Sequence, residues 1–176
     1  MNRRIALALT VMALLSSGIA LPAGHAVAQE KQHVSFKAPA ENTKFTQQLN
    51  IEVRDVPDHM VRVFEVHGTF PSNAPVIDGT KLAETWASGI GDRVDGNGPA
   101  TQYNVFVMAN GDKFYARLDA LVQRTSGKLL STQVGNITGG TGKFAVIQGT
   151  VRLVTNFDYK TGFNESQYDI EYSMGK

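Results

Sequence analysis

The 176-residue chain contains no cysteine. That absence excludes a cystine-stapled scaffold, a thiol nucleophile and a cysteine-anchored lipoprotein, so stability has to come from an ordinary hydrophobic core. A charge excess of either sign is also missing: 17 Lys and Arg stand against 16 Asp and Glu. Setting aside Arg3 and Arg4 leaves 15 basic and 16 acidic residues. No single-sign field is therefore available to grip nucleic acid or an anionic membrane. After residue 28 no apolar stretch reaches bilayer-spanning length, and no run shows a 3.6-residue period with caps over helical length. What is left is a succession of strand-like segments separated by turns.

The first 28 residues read as a separate unit. Met1-Asn2-Arg3-Arg4 is a basic start, Ile5 to Leu15 an apolar run, and Ala26-Val27-Ala28 a small-residue cleavage site. This is the pattern of a secretory signal peptide. Ser16, Ser17, Gly18 and Pro22 interrupt the apolar run too early for a permanent span. The expectation is cleavage after Ala28, giving a soluble mature chain that begins at Gln29 and forms a single domain over 29–176. Its location is then exported, either periplasmic or secreted, with no stable membrane insertion.

From residue 34 the chain alternates. Val34, Phe36 and Ala38 precede Pro39, and Leu49, Ile51 and Val53 alternate with polar neighbours. Met60 to Phe70 is β-branched, with Val61, Val63, Glu65 and His67 on one face and Arg62, Phe64 and Val66 on the other. Pro71 to Gly79 reads as a loop. Lys81 to Arg93 reads as a strand in which Gly89 and Gly91 suggest a bulge or bend. Asn110-Gly111 joins Tyr103–Ala109 to Lys113–Val122 as a hairpin. Val151, Leu153, Thr155 and Phe157 alternate, as do Tyr168, Ile170 and Tyr172. About eight such strands predict an all-β sandwich or barrel.

Gly135 to Gly149, G-N-I-T-G-G-T-G-K-F-A-V-I-Q-G, decides between them. A phosphate loop needs a glycine where Ile137 stands and a hydroxyl where Phe144 stands. Gly140, Gly142 and Ala145 satisfy G-x-G-x-x-A, but Val146, Ile147, Gly149 and Val151 do not open a helix. A structural corner between strands survives. Within it Gly139, Gly140, Gly142, Phe144 and Gly149 resemble the G-G-[ST]-G-x-F signature shared by allene oxide cyclases and dirigent proteins. The similarity runs from about Thr101 to Tyr172. It implies an eight-stranded antiparallel, calycin-type barrel with an apolar cavity, assembled as a trimer or dimer. It implies no catalytic residue at any position of this chain.

Candidate chemistry is sparse. His33, His59 and His67 lack metal-ligand spacing, so no metal and no other cofactor is expected. Ser88 lies outside any G-x-S-x-G elbow. Glu65 and His67 share a face with Val61 and Val63, so they are the candidate acid–base pair if that face lines a cavity. The bland alternative is a solvent face. Val61, Val63, Trp86 and Tyr103 are the candidate ligand-binding wall. The functional expectation is an exported barrel binding a small hydrophobic or amphipathic molecule. One alternative is a cyclase, isomerase or coupling-guiding enzyme of the resembled families, and another is a structural or interaction barrel with a packed interior.

Overall fold

A computed structural model of the protein describes residues 30–125 and 127–175. The expected signal peptide, residues 1–28, and its cleavage site lie outside the described residues. The strands are β1 (Gln32–Ala38), β2 (Thr43–Glu52), β3 (His59–Thr69), β4 (Val76–Ile77), β5 (Thr80–Val94), β6 (Gly98–Met108), β7 (Lys113–Thr125), β8 (Lys128–Gly140), β9 (Ile147–Phe157) and β10 (Asn164–Met174). All pairings are antiparallel, in the order β1-β10-β9-β8-β7-β6-β5-β3-β2, with β4 paired to β5 alone. Among the described residues no helix is long and apolar enough to cross a membrane.

The two ends of that order, β1 and β2, are consecutive in the chain. Pro39 has no N–H to continue the ladder, so pairing with β10 ends at Ala38↔Ser166. A 3-10 turn over Ala40–Asn42 follows, held by Asn42 N–H and Thr43 Oγ1 donating to the Pro39 carbonyl at 3.1 and 2.9 Å. Pairing then resumes on the other side, with β3, at Thr43↔Gly68. The bent β1–β2 segment thus acts as one stave that closes the sheet. Counting it once gives the expected eight-stranded antiparallel barrel.

Alternation places one residue in two inside. Phe106, Phe114 and Phe144 are fully buried at the end that carries residues 109–112 and the 3-10 helix Gly142–Val146. Phe106 stacks on Phe114 with centroids 4.3 Å apart, and Phe114 meets Phe144 at 5.7 Å. Ile77, on β4, is also fully buried here, so the segment expected as a plain loop plugs this end. Each such side chain contributes about 1.5–3 kcal/mol by leaving water. The expected bulge at Gly89 and Gly91 is absent. The register of β5 against β6 instead shifts between Leu82 and Glu84, and the two glycines pair regularly.

The glycine corner is structural, with an anion of its own. Lys143 N–H donates to Asp112 Oδ2 at 3.1 Å, and Thr141 Oγ1 accepts from Lys113 N–H at 2.9 Å. Asp112 therefore occupies a backbone amide that a phosphate loop would offer to its ligand. Gly142 has φ +52°, and a Cβ there would lie 1.9 Å from Asp112 Oδ1. Gly142→Val should lower stability by about 1–3 kcal/mol, since a β-branched residue is strained at positive φ. A urea midpoint equal to that of the unsubstituted protein would show that the corner carries no such constraint.

Candidate functional site

The residues expected to line a cavity point away from it. Phe64, Val66, Thr85, Ala87 and Gln102 face the interior. Their strand neighbours Val61, Val63, Glu65, His67, Trp86 and Tyr103 therefore face outward. Tyr103 is 58% exposed and Val63 45% exposed. Glu65 and His67 do not pair with each other. Glu65 accepts from Thr46 Oγ1 at 2.6 Å, while His67 stacks on Trp86 with centroids 3.9 Å apart. Glu84 Oε2 joins both rings, 3.2 Å from His67 Nε2 and 3.0 Å from Trp86 Nε1. This is a surface cluster, so the acid–base pair and the ligand wall read from the sequence are corrected to outer-face residues. Alternation separates two faces of a strand but does not say which is inside.

The interior carries the polar chemistry. Gln102, Ser131, Gln133, Thr155, Asn164 and Ser166 line a cavity of about 50 Å³ together with Ala38, Ala87, Ala100 and Ala120. Its size admits a few waters, well short of the ~300 Å³ of a typical ligand pocket. Asn104 is fully buried and accepts from Gln102 Nε2 at 2.7 Å, but its own Nδ2 has no partner among the described residues. The same holds for Gln133 Oε1. Tyr168 lines the cavity floor. Burial pushes its phenol up to about 12, opposed by the neighbouring Thr85 and Asn104 side chains, so it is a neutral group at pH 7.

Above this band sits a cationic plug. Arg62 from β3 and Arg93 from β5 are 4% and 6% exposed. The Arg62 guanidinium lies over the Tyr159 ring, 3.0 Å from its centroid, and Arg93 stands 5.6 Å from the same ring and 5.5 Å from Phe157. Their strands make room by glycine. Gly91 stands opposite Arg62, and a Cβ on it would come within 2.9 Å of Arg93 Nη2. A Cβ on Gly89 would meet the Phe64 ring at 2.6 Å. Arg62 donates to the side-chain oxygens of Asn50, at 3.2 Å, and Gln48. Neither arginine has a carboxylate partner among the described residues, and Arg62 Nε, Arg93 Nε and Arg93 Nη1 have no acceptor there. Burial pushes both guanidinium groups down to about 10, and for Arg93 the charge of Arg62 adds to that. Both remain charged at neutral pH.

Outside the plug, Asn50, Asp58, Met60, Asp95 and Arg124 surround a bowl of about 270 Å³ that shares Arg93 and Tyr159 with the inner cavity. Arg124 is paired with Asp95 at 3.3 Å. A wider concavity of about 510 Å³ along Lys128, Asp158, Phe163 and Glu165 holds none of the unpartnered buried atoms. Beside the bowl, His59 sits between Asp92 and Asp55, 2.6 Å from each, and its pKa is raised by those bonds, Asp92 first. With both ring nitrogens engaged, it is a tether for the β2–β3 turn. Among the described residues no three or more His, Cys, Asp or Glu converge as metal ligands.

Compared with solved structures, this architecture is similar to two dirigent proteins. The pterocarpan synthase dirigent protein GePTS1 matches at TM-score 0.50 and 15% identity, over 96% of this chain and all of that one. The pterocarpan synthase dirigent protein PsPTS1 matches at TM-score 0.50 and 17% identity, over 84% and 97%. The fold is that of the dirigent barrel. The dirigent-like resemblance drawn from Gly139 to Phe144 agrees with it. No family model matches the chain, and no curated protein matches it in sequence.

Nothing in the sequence reading singled out Arg62, Arg93 or Tyr159. The available signal was Gly89 and Gly91 on the same strand face as Arg93, which leaves space inside for long side chains. An unpaired buried cation contributes little to stability, and apolar replacements of buried charges are often neutral or stabilising. Arg93→Met should therefore leave the unfolding free energy unchanged or raise it by about 1 kcal/mol. A loss of more than about 1 kcal/mol in chemical denaturation would mean that Arg93 is a structural strut.

Proposed function

We propose that the protein is an exported barrel that binds a small amphipathic molecule in its alanine-lined upper cavity. The observation that carries this reading is a set of buried polar atoms without partners among the described residues: Gln133 Oε1 on the cavity wall and, at the plug, Arg62 Nε and Arg93 Nε and Nη1. Leaving one such group unsatisfied costs about 1–3 kcal/mol, more for a charge. A molecule that fills those bonds recovers this cost on binding. Alanines, in contrast to the phenylalanines of the sealed end, leave a cavity of about 50 Å³, which has to join the outer bowl before it can hold an apolar body. Entry requires Tyr159 and Arg62 to swing aside and join the 50 Å³ cavity to the bowl. The basic start, short apolar run and A-V-A site of residues 1–28 support export.

A second reading, a dirigent-type enzyme that guides coupling or ring closure, is favoured by one group. Tyr168 is a buried, neutral phenol at the cavity floor, able to donate a hydrogen bond to an oxygen of a bound molecule. Native mass spectrometry of protein purified from its host, followed by incubation with the extracted molecule, tests both. Recovery of a stoichiometric small molecule that is returned unchanged supports binding alone, and a changed product supports the enzyme. A ligand-free protein whose interior NMR signals move with no apolar or amphipathic probe would leave the packed, structural barrel as the surviving account.

The outer face supports assembly with a second copy of the chain. Leu49, Val63 and Ile90 lie side by side across β2, β3 and β5, next to Ile51, and all four are exposed. Glu65 follows Val63 on the same face of β3, and Asp119 and Arg117 of β7 stand beyond Thr101 and Tyr103 of β6, mixed signs that suit a self-complementary contact. Light scattering should give a dimer or trimer that Val63→Asp with Ile90→Asp reduces to monomer. A monomeric parent protein at the same concentration would remove this assembly.

A further inference from the structure

We propose that Arg62 and Arg93 together form a carboxylate site, so that the molecule taken by the barrel is a monocarboxylate with a short apolar or aromatic body. This rests on the reading of the interior as a binding cavity and adds to it the charge and class of the ligand.

Two like charges are held almost wholly out of water, both near the Tyr159 ring, and neither is ion-paired with an acid among the described residues. Packing over aromatic faces offsets only part of the cost of burying an ion. The charge that acts on Arg93 is that of Arg62, and it is repulsive. A carboxylate between them turns that repulsion into two attractions. The guanidinium fork also matches a carboxylate edge with two parallel hydrogen bonds, through Nη2 together with either Nε or Nη1, and among the described residues Arg93 Nε and Nη1 have no acceptor.

The surroundings select a monoanion over a phosphate. Arg62, Arg93 and Arg124 are balanced at the bowl by Asp58 and Asp95, leaving a single net positive charge. Below the plug the wall carries the small apolar Ala87, Ala100 and Ala120 beside Phe64, interspersed with the polar Gln102, Ser131 and Gln133. A carboxylate at the arginines therefore places its attached carbon chain or ring among the alanines, with the Gln133 amide available to a polar substituent.

The test compares benzoate with benzyl alcohol, octanoate with octanol, and inorganic phosphate, by calorimetry and NMR on the purified protein and on Arg62→Gln, Arg93→Gln and Arg124→Gln. Each carboxylate should bind at least roughly tenfold more tightly than its alcohol and more tightly than phosphate. Either inner variant should remove that preference while leaving the alcohol unaffected, and Arg124→Gln should leave it in place. Arg93→Lys, which keeps the charge but loses the fork, should retain part of it, and this variant serves if Arg93→Gln does not fold. Alcohols binding inside the barrel as tightly as the acids would overturn the carboxylate site and leave the cavity reading standing. Phosphate binding more tightly than benzoate, with the same arginine dependence, would overturn the monocarboxylate assignment. If no probe shifts an interior resonance, the carboxylate site and the cavity reading both fall.

Discussion

Ring closure is the constraint on which the rest of this structure depends. The sheet has no free edge of consequence because one segment, β1–β2, bends at Pro39 and pairs with β10 before the bend and β3 after it. A barrel with every stave paired offers only two directions to a side chain, so each inner position has to be filled, left small or given a polar partner. Moving the bend by one residue would invert the facing of β2 against β3, because the side-chain period is two. The Pro39 ring, the Thr43 hydroxyl and the short 3-10 turn hold it in place.

Inside the closed ring two solutions are used. One end is filled in the ordinary way, by Phe106, Phe114, Phe144 and Ile77, and is sealed by the glycine corner and β4. The other is lined by alanine and polar side chains and capped by Arg62, Arg93 and Tyr159. The larger apolar cluster fills the first half, while Val122, Leu129 and Phe157 form a smaller one at the end that holds the unpartnered buried groups. Such a division, a dry foundation beneath a strained polar mouth, is the usual compromise between holding a fold and holding a ligand.

Much of the fold was legible in the sequence. The Asn110-Gly111 hairpin, the alternation of Val151 to Phe157 and of Tyr168 to Tyr172, and the glycine corner all stand where their local chemistry puts them. The site was legible less well, for a physical reason. On β3 both faces are apolar at some positions: Val61 and Val63 on one, Phe64 and Val66 on the other. Hydrophobicity then does not choose the inner face, and arginine is a residue that ordinarily argues for the outside. The choice was made across the sheet, by Gly89 and Gly91 leaving space for Phe64 and Arg93, and pairing of distant strands cannot be read from one strand alone. The bulge expected at those glycines failed for the same cause, since they serve close approach of side chains and not a bend.

The central claim is that the two inner arginines are left without an acid because a ligand supplies one. The most direct measurement is a crystal structure of the protein grown with benzoate. The account predicts the carboxylate between the Arg62 and Arg93 guanidinium groups, its ring among Ala87, Ala100 and Ala120, and Tyr159 turned out of its place over Arg62. Benzoate found only on the outer face, with Arg62 still stacked on Tyr159 and Arg93 unchanged, would contradict it.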